Sequence, residues 1–124
     1  MNPSPYMASG QASWGEAWRS QAVSLLVVDD QPANIQALYQ AFSQDHQVLM
    51  ATNGERALAL CRQNPPDIVL LDLVMPGMDG YEVLRQLRED PQTASIPVIF
   101  VTAKDAAEDE ARGLAMGAVD FIVK

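Results

Sequence analysis

The sequence predicts an α/β fold in which a parallel sheet is covered by helices on both faces. Three observations lead there. Short, almost wholly apolar runs recur along the chain, as strands buried on both faces require. Between them, apolar residues fall at helical spacing. Strand and helix alternate five times with short connections, the order that wraps a parallel sheet in helices.

Residues 1 to about 22 stand apart as an N-terminal extension. Met1 to Gly10 is rich in Asn, Pro, Ser and Gly and reads as a lead-in. Ser13-Trp14-Gly15-Glu16 has the form of a capping box, and Trp14, Ala17 and Trp18 then share a helical face, which predicts a short helix over 13–21. A single domain is expected over residues 23–124. Its first strand is Ser24 to Val28. Pro32 to Gln44 follows as a helix, with Pro32 in the first turn and Ile35, Leu38, Tyr39 and Phe42 on one stripe. Gln47 to Ala51 is the second strand, and lone His46 before it reads as a surface residue.

Asn53 to Gln63 carries Ala57, Leu58 and Cys61 on one side of a helix that Pro65-Pro66 stops. Asp67 to Leu71 is the third strand. Pro76 to Gly80 is turn chemistry, in which Asp79 suits a helix N-cap and Gly80 permits a close backbone approach. The helix it opens carries Val83, Leu84 and Leu87 toward Asp90-Pro91. Pro97 to Thr102 is the fourth strand, Ala106 to Met116 a helix closed by Gly117, and Val119 to Val123 the fifth strand.

Bulk properties narrow the function. At 124 residues there is room for one domain with a core. No apolar run is long enough to span a bilayer, and no secretory pattern opens the chain. Cys61 is the only cysteine, which excludes an internal disulfide and suggests a reducing, cytoplasmic setting. Eight basic residues against 16 acidic ones give a formal charge of −8, which disfavours direct nucleic-acid binding.

Open parallel sheets bind ligands beyond the carboxyl ends of their strands. Asp29 and Asp30 stand there after the first strand, Asp72 after the third, Thr102 and then Lys104 at the fourth, and Lys124 at the fifth. Two carboxylates about 4 Å apart repel by roughly 4 kcal/mol at an effective dielectric near 20, so three of them need a counter-charge. Mg²⁺ fits, because it takes carboxylates, waters and a phosphate together. Asp30 alone could serve as a helix cap, but Asp29 would then have no structural task.

Leu25-Leu-Val-Val-Asp-Asp30, Leu70-Leu-Asp-Leu-Val-Met-Pro-Gly-Met-Asp-Gly80, Val101-Thr-Ala-Lys104 and Gly117-Ala-Val-Asp-Phe-Ile-Val-Lys124 resemble, in order and spacing, the receiver domains of two-component response regulators. The resemblance covers about residues 24 to 124. It implies a flavodoxin-like doubly wound sheet with strand order 2-1-3-4-5. It implies that Asp72 accepts a phosphoryl group from a sensor histidine kinase or phosphotransfer protein. It assigns Mg²⁺ to Asp29, Asp30, Asp72 and the Val74 backbone carbonyl. Lys124 matches the lysine that pairs with phosphoryl oxygens, Thr102 the switch hydroxyl and Phe121 the aromatic that follows it. Such a domain is a signalling module that catalyses only its own phosphorylation and dephosphorylation. Val74 and Lys104 occupy positions that tune phosphoryl lifetime, and apolar Val74 predicts slow hydrolysis.

The family continues past this lysine with Pro and a last helix, whereas this chain stops at Lys124. Apolar residues of strands one, three and five are therefore expected to lie open unless the Trp14/Trp18 helix covers them, in this chain or in a homodimer. The stretch Lys104 to Lys124 also looks like receivers attached to cyclic-di-GMP enzymes. Three rival readings fit less well. A pseudo-receiver would not need Asp29, Asp30, Asp72, Thr102 and Lys124 together. A flavodoxin-like cofactor binder needs a phosphate loop where Asp-Asp-Gln-Pro stands. A haloacid-dehalogenase-type phosphatase needs Asp-x-Asp on the first strand.

Overall fold

The computed structural model describes residues 23–103 and 107–123. The expected helix over 13–21, Lys104 and Lys124 therefore lie outside the described residues. Strands β1 (Ser24–Val28), β2 (Gln47–Ala51), β3 (Ile68–Leu71), β4 (Val98–Thr102) and β5 (Asp120–Val123) alternate with helices α1 (Pro32–Phe42), α2 (Gly54–Gln63), α3 (Gly80–Glu89) and α4 (Ala107–Ala115). All neighbouring strands are parallel, in the order β2-β1-β3-β4-β5. Among the described residues, no helix is long and apolar enough to cross a membrane.

Alternation along each strand divides the apolar residues between two faces. Leu26, Val28, Val69, Leu71, Val98, Phe100 and Phe121 join the main core with Ala57, Leu58 and Cys61 of α2 and Val83, Leu84 and Leu87 of α3. On the opposite face Val27 and Leu70 pack with Ile35 of α1, flanked by half-buried Leu38, Phe42, Ile99 and Val101. Among the described residues, the face that carries α1 also holds an apolar groove of about 360 Å³, lined in part by Leu70, Val101 and Ile122.

Element ends follow local chemistry. Asn53 caps α2 by accepting the Arg56 N–H at 2.8 Å, and Asp79 caps α3 by accepting the Glu82 N–H at 3.0 Å. Gly117, just past α4, has φ 106°, where any β-carbon is strained. α1 ends at Phe42 rather than Gln44: Ser43 is its C-cap, and beyond it the Asp45 N–H donates to the Phe42 carbonyl three residues back, at 3.2 Å, in a tightened last turn. Tyr39 is 41% exposed, not part of the core stripe, and lies with exposed Met50 along the β2 edge. His46 lies at the surface but is not fully exposed. It is half-buried, its Nδ1 accepts the Val23 N–H at 3.3 Å, and its ring lies 6.4 Å from that of Phe42.

Arg88 ties three segments together. Its guanidinium donates to the carbonyls of Ala94 (3.2 Å), Ile96 (2.8 Å) and Gly117 (2.8 Å), joining α3 to the loop before β4 and the turn before β5. Burial disfavours the charge and lowers its pKa. Hydrogen bonds from a charged donor are stronger than neutral ones, and removing the donor leaves carbonyls unsatisfied. Arg88→Met should therefore lower unfolding free energy by about 2–4 kcal/mol in urea titration. A change below about 0.5 kcal/mol, the usual range for surface substitutions, would contradict this role.

A column of aromatic rings crosses the main core. Tyr81 meets Phe100 edge-on at 5.7 Å between centroids, and Phe100 meets Phe121 at 6.2 Å. The Tyr81 hydroxyl donates to Asp109 Oδ1 at 2.8 Å, while the Arg112 guanidinium covers the ring at 3.9 Å, so α4 is fastened to α3. Burial, aided by the bond to Asp109, pushes the Tyr81 phenol up to about 12. A raised phenol pKa stabilises the fold fully below the unfolded value near 10 and ceases to do so as pH rises through the folded value. Between these limits stability should fall by about 2 kcal/mol more in the native protein than in Tyr81→Phe, as read by denaturation at a series of pH values. Parallel loss in the two proteins would refute the assignment.

Candidate acidic site at the sheet edge

Strand register brings the carboxylates together. Val28 and Leu71 are paired in the β1–β3 ladder, so the residues that follow them, Asp29 and Asp72, leave the sheet side by side. Their backbones are fixed as well, since the Asp72 N–H donates to the Val28 carbonyl at 2.9 Å and the Asp29 N–H to the Ala51 carbonyl at 3.1 Å. Asp29 and Asp72 are buried and Asp30 is half-buried. One carboxylate oxygen from each of Asp29, Asp30 and Asp72 lies within 4.8 Å of the other two.

Part of this concentrated charge is met by backbone dipoles. Asp29 Oδ1 accepts the Gln31 N–H at 2.9 Å, and Asp72 Oδ1 accepts the Val74 N–H at 3.4 Å. Asp29 thus does have a structural task, holding the entry to α1. Asp30 does not cap that helix: the N-cap is Gln31, without a side-chain cap bond, and Pro32 follows. The N-terminus of α1 adds partial positive charge beside the cluster.

The donor set is all oxygen and anionic, which suits a hard divalent cation rather than one preferring nitrogen or sulfur. An octahedral Mg²⁺ with bonds of about 2.1 Å spaces its ligands roughly 3–4 Å apart, so small side-chain rotations would bring the three oxygens into one shell. The residues present fit such an ion.

A cleft of about 700 Å³ opens over the cluster, lined by residues that include Asp30, Asp72, Val74 and Thr102. Thr102, at the end of β4, is 1% exposed, whereas Val74 is 61% exposed on the rim. Gln31 and Asn34 also line the cleft, and the sequence reading passed over both. Pro32 was the available signal. A proline at the first helical position makes Gln31 the cap and Asn34 the third helical residue, the turn that faces the strand ends.

Phe121 does not line the cleft. It pairs with Phe100 in the β4–β5 ladder, one same-face step before the Thr102–Val123 pair, so its ring lies on the Thr102 face of the sheet. The floor of the site is set by Gly80, where an added β-carbon would lie 2.4 Å from the Asp72 carbonyl oxygen and 2.9 Å from Leu73 Cα. The Gly80 N–H donates to the Leu73 carbonyl at 2.9 Å, pinning the start of α3 under the acidic loop.

Known proteins match this architecture. The family model described as response regulator receiver domain matches residues 25–124. The protein PilH of Pseudomonas aeruginosa is 46% identical over 101 residues, which cover 81% of this chain and 84% of PilH. The response regulator PleD of Caulobacter vibrioides is also 46% identical over 101 residues, but these are 22% of its length. The chain therefore spans most of one relative and less than a quarter of the other. The solved N-terminal domain of a response regulator receiver protein from Methanoculleus marisnigri superposes with a TM-score of 0.77 at 36% identity, covering 82% of this chain and 84% of that one. On its motifs, strand order and relatives, the chain belongs to the response regulator receiver domain family.

Proposed function

We propose that Asp72 is the phosphoryl acceptor, taking the group from a phosphohistidine of a sensor histidine kinase or phosphotransfer protein. Receiver domains as a family accept phosphoryl groups and bind Mg²⁺ at an acidic cluster. The observation that carries the assignment to this residue is the convergence of Asp29, Asp30 and Asp72 under an open cleft, with the Asp72 N–H held by the Val28 carbonyl. A carboxylate oxygen of Asp72 forms the new bond to phosphorus. The bond from phosphorus to the donor imidazole nitrogen breaks, and that nitrogen keeps the electron pair.

Asp29, Asp30, Asp72 and the Val74 carbonyl are the groups that would hold Mg²⁺. When bound, the ion neutralises charge on the phosphoryl oxygens, the main demand of phosphoryl transfer. Thr102 offers its hydroxyl to the transferred group from the end of β4. Lys124 would supply the opposing positive charge, which the pairing of Val123 with Thr102 supports. Drawing Thr102 inward shifts a pre-existing equilibrium, and Phe121 follows through the packing of Phe100. The domain is a signalling module, and a cytoplasmic location accords with its partners.

Incubation with acetyl phosphate tests this reading. The intact mass should rise by one phosphoryl group only when Mg²⁺ is present, and then decay slowly, because Val74 brings no polar group to position a water. Sustained phosphate release over many turnovers without a stable adduct would favour a phosphatase instead.

A further inference from the structure

Helix α4 sits on the aromatic column through one face. Asp109, Arg112 and Gly113 fall at i, i+3 and i+4, so they share that face. At Gly113 the helix backbone meets the column directly: an added β-carbon would lie 2.9 Å from both Phe100 Cδ2 and Phe100 Cε2, and 3.9 Å from Phe121 Cδ2. The seam between α4 and α3 is otherwise loosely filled. A cleft of about 390 Å³ lies in it, lined in part by Met78, Arg85 and Met116. Polar side chains therefore carry much of the fastening. The Tyr81 hydroxyl donates to Asp109 Oδ1 at 2.8 Å and to the Asp109 carbonyl at 3.2 Å, while Arg112 covers the ring.

We propose that the bond from Tyr81 to Asp109 is a latch that holds α4 in its resting position, so that its strength sets how readily the domain passes to the phosphorylated conformation. The latch rests on the reading proposed above, with Asp72 as acceptor and Thr102 as switch hydroxyl. Two connections join latch to switch. Along the chain, only residues 103–106 separate Thr102 from α4, and Asp109 stands in the first turn of that helix. Drawing Thr102 toward the cleft thus pulls on the end of α4 that Tyr81 holds. Through the core, Phe100 touches Phe121, Tyr81 and the Gly113 position, so a turn of the Phe121 ring unsettles the seat of α4. A bond made only in the resting conformation opposes the phosphoryl group. By linkage, its removal must tighten the site's hold on that group.

Beryllofluoride titration in saturating Mg²⁺, followed by fluorine NMR, reads that linkage. Removing a merely structural side chain would weaken binding or leave it unchanged, whereas removing a latch gives the opposite sign. Tyr81→Phe keeps the ring and loses the hydroxyl, and its half-saturating concentration should fall roughly tenfold, the worth of a hydrogen bond to a charged acceptor. Asp109→Ala, which leaves every core ring in place, should also tighten binding. Asp109→Asn retains an acceptor oxygen and should bind like the parent chain. In a Thr102→Val background Tyr81→Phe should change nothing, because a ligand shifts an equilibrium only through contacts that differ between its states. Unchanged or weaker binding in both Tyr81→Phe and Asp109→Ala would overturn the latch alone, leaving the phosphoryl-acceptor reading intact. So would tightening that persists in full without the Thr102 hydroxyl. A parent chain that takes up no beryllofluoride would overturn both.

Discussion

Asp72→Asn is expected to abolish phosphoryl acceptance while leaving the fold intact and, in metal-free buffer, more stable. The amide has nearly the shape of the carboxylate, and its oxygen can still accept the Val74 N–H that Asp72 Oδ1 accepts at 3.4 Å. What it loses is the negative charge that makes the oxygen nucleophilic and that repels Asp29 and Asp30. Carboxylate oxygens within 4.8 Å of one another store repulsion. Relieving one charge should raise unfolding free energy by about 1–2 kcal/mol, allowing for the backbone bonds that already offset part of it. Mg²⁺ affinity should drop at least tenfold, since one of three anionic ligands is gone. Intact-mass spectrometry, urea titration in chelator and calorimetric Mg²⁺ titration read these three effects. A variant that still gained a phosphoryl group would show that another residue is the acceptor. Function and stability are thus set against each other at one position.

Gly80→Val should be the most damaging single substitution to the architecture. The β-carbon would meet the Asp72 carbonyl oxygen at 2.4 Å and Leu73 Cα at 2.9 Å, and both are backbone atoms that cannot rotate away. Either α3 lifts from the sheet edge, breaking the Gly80 to Leu73 bond, or the loop carrying Asp72 moves. We expect a loss of about 3 kcal/mol or more, above the usual range for overpacking because backbone must shift, and weaker Mg²⁺ binding in whatever remains folded. Gly77→Ala is the control. With φ +74° and nothing within 4 Å of an added β-carbon, it suffers only conformational strain of about 1 kcal/mol. Equal effects at the two glycines, measured by denaturation, would contradict the close approach at Gly80.

The same loop shows why so much of the site could be read in advance. Asp72, Asp79 and Gly80 announce themselves by type: a carboxylate after an apolar strand, a capping residue, and a glycine where a helix must touch a strand end. Local rules also gave Gly117 beyond α4, whereas Asn53, read as the first residue of a helix, is its cap. What escaped depends on register and distance. Asp29 was thought to lack a structural task because its partner, the Gln31 N–H, is turned toward it only by the bend into α1. His46 was read as surface, yet Val23, 23 positions away, supplies its hydrogen bond. The Gly117 carbonyl bound by Arg88 and the column from Tyr81 through Phe100 to Phe121 join segments remote in the chain. Tyr39 had the spacing of a core residue but sits at the sheet edge, where β2 is too narrow to cover it. Periodicity says which side of a helix is apolar, not how far the sheet beneath it extends.

Beryllofluoride, which mimics a phosphoryl group on a carboxylate oxygen, offers the most direct test of the acidic site. Fluorine NMR of the chain should show bound resonances only when beryllofluoride and Mg²⁺ are both present, and none with Asp72→Asn. Bound fluoride without a divalent ion, or undiminished in that variant, would mean that the three clustered carboxylates are not the phosphoryl-accepting centre.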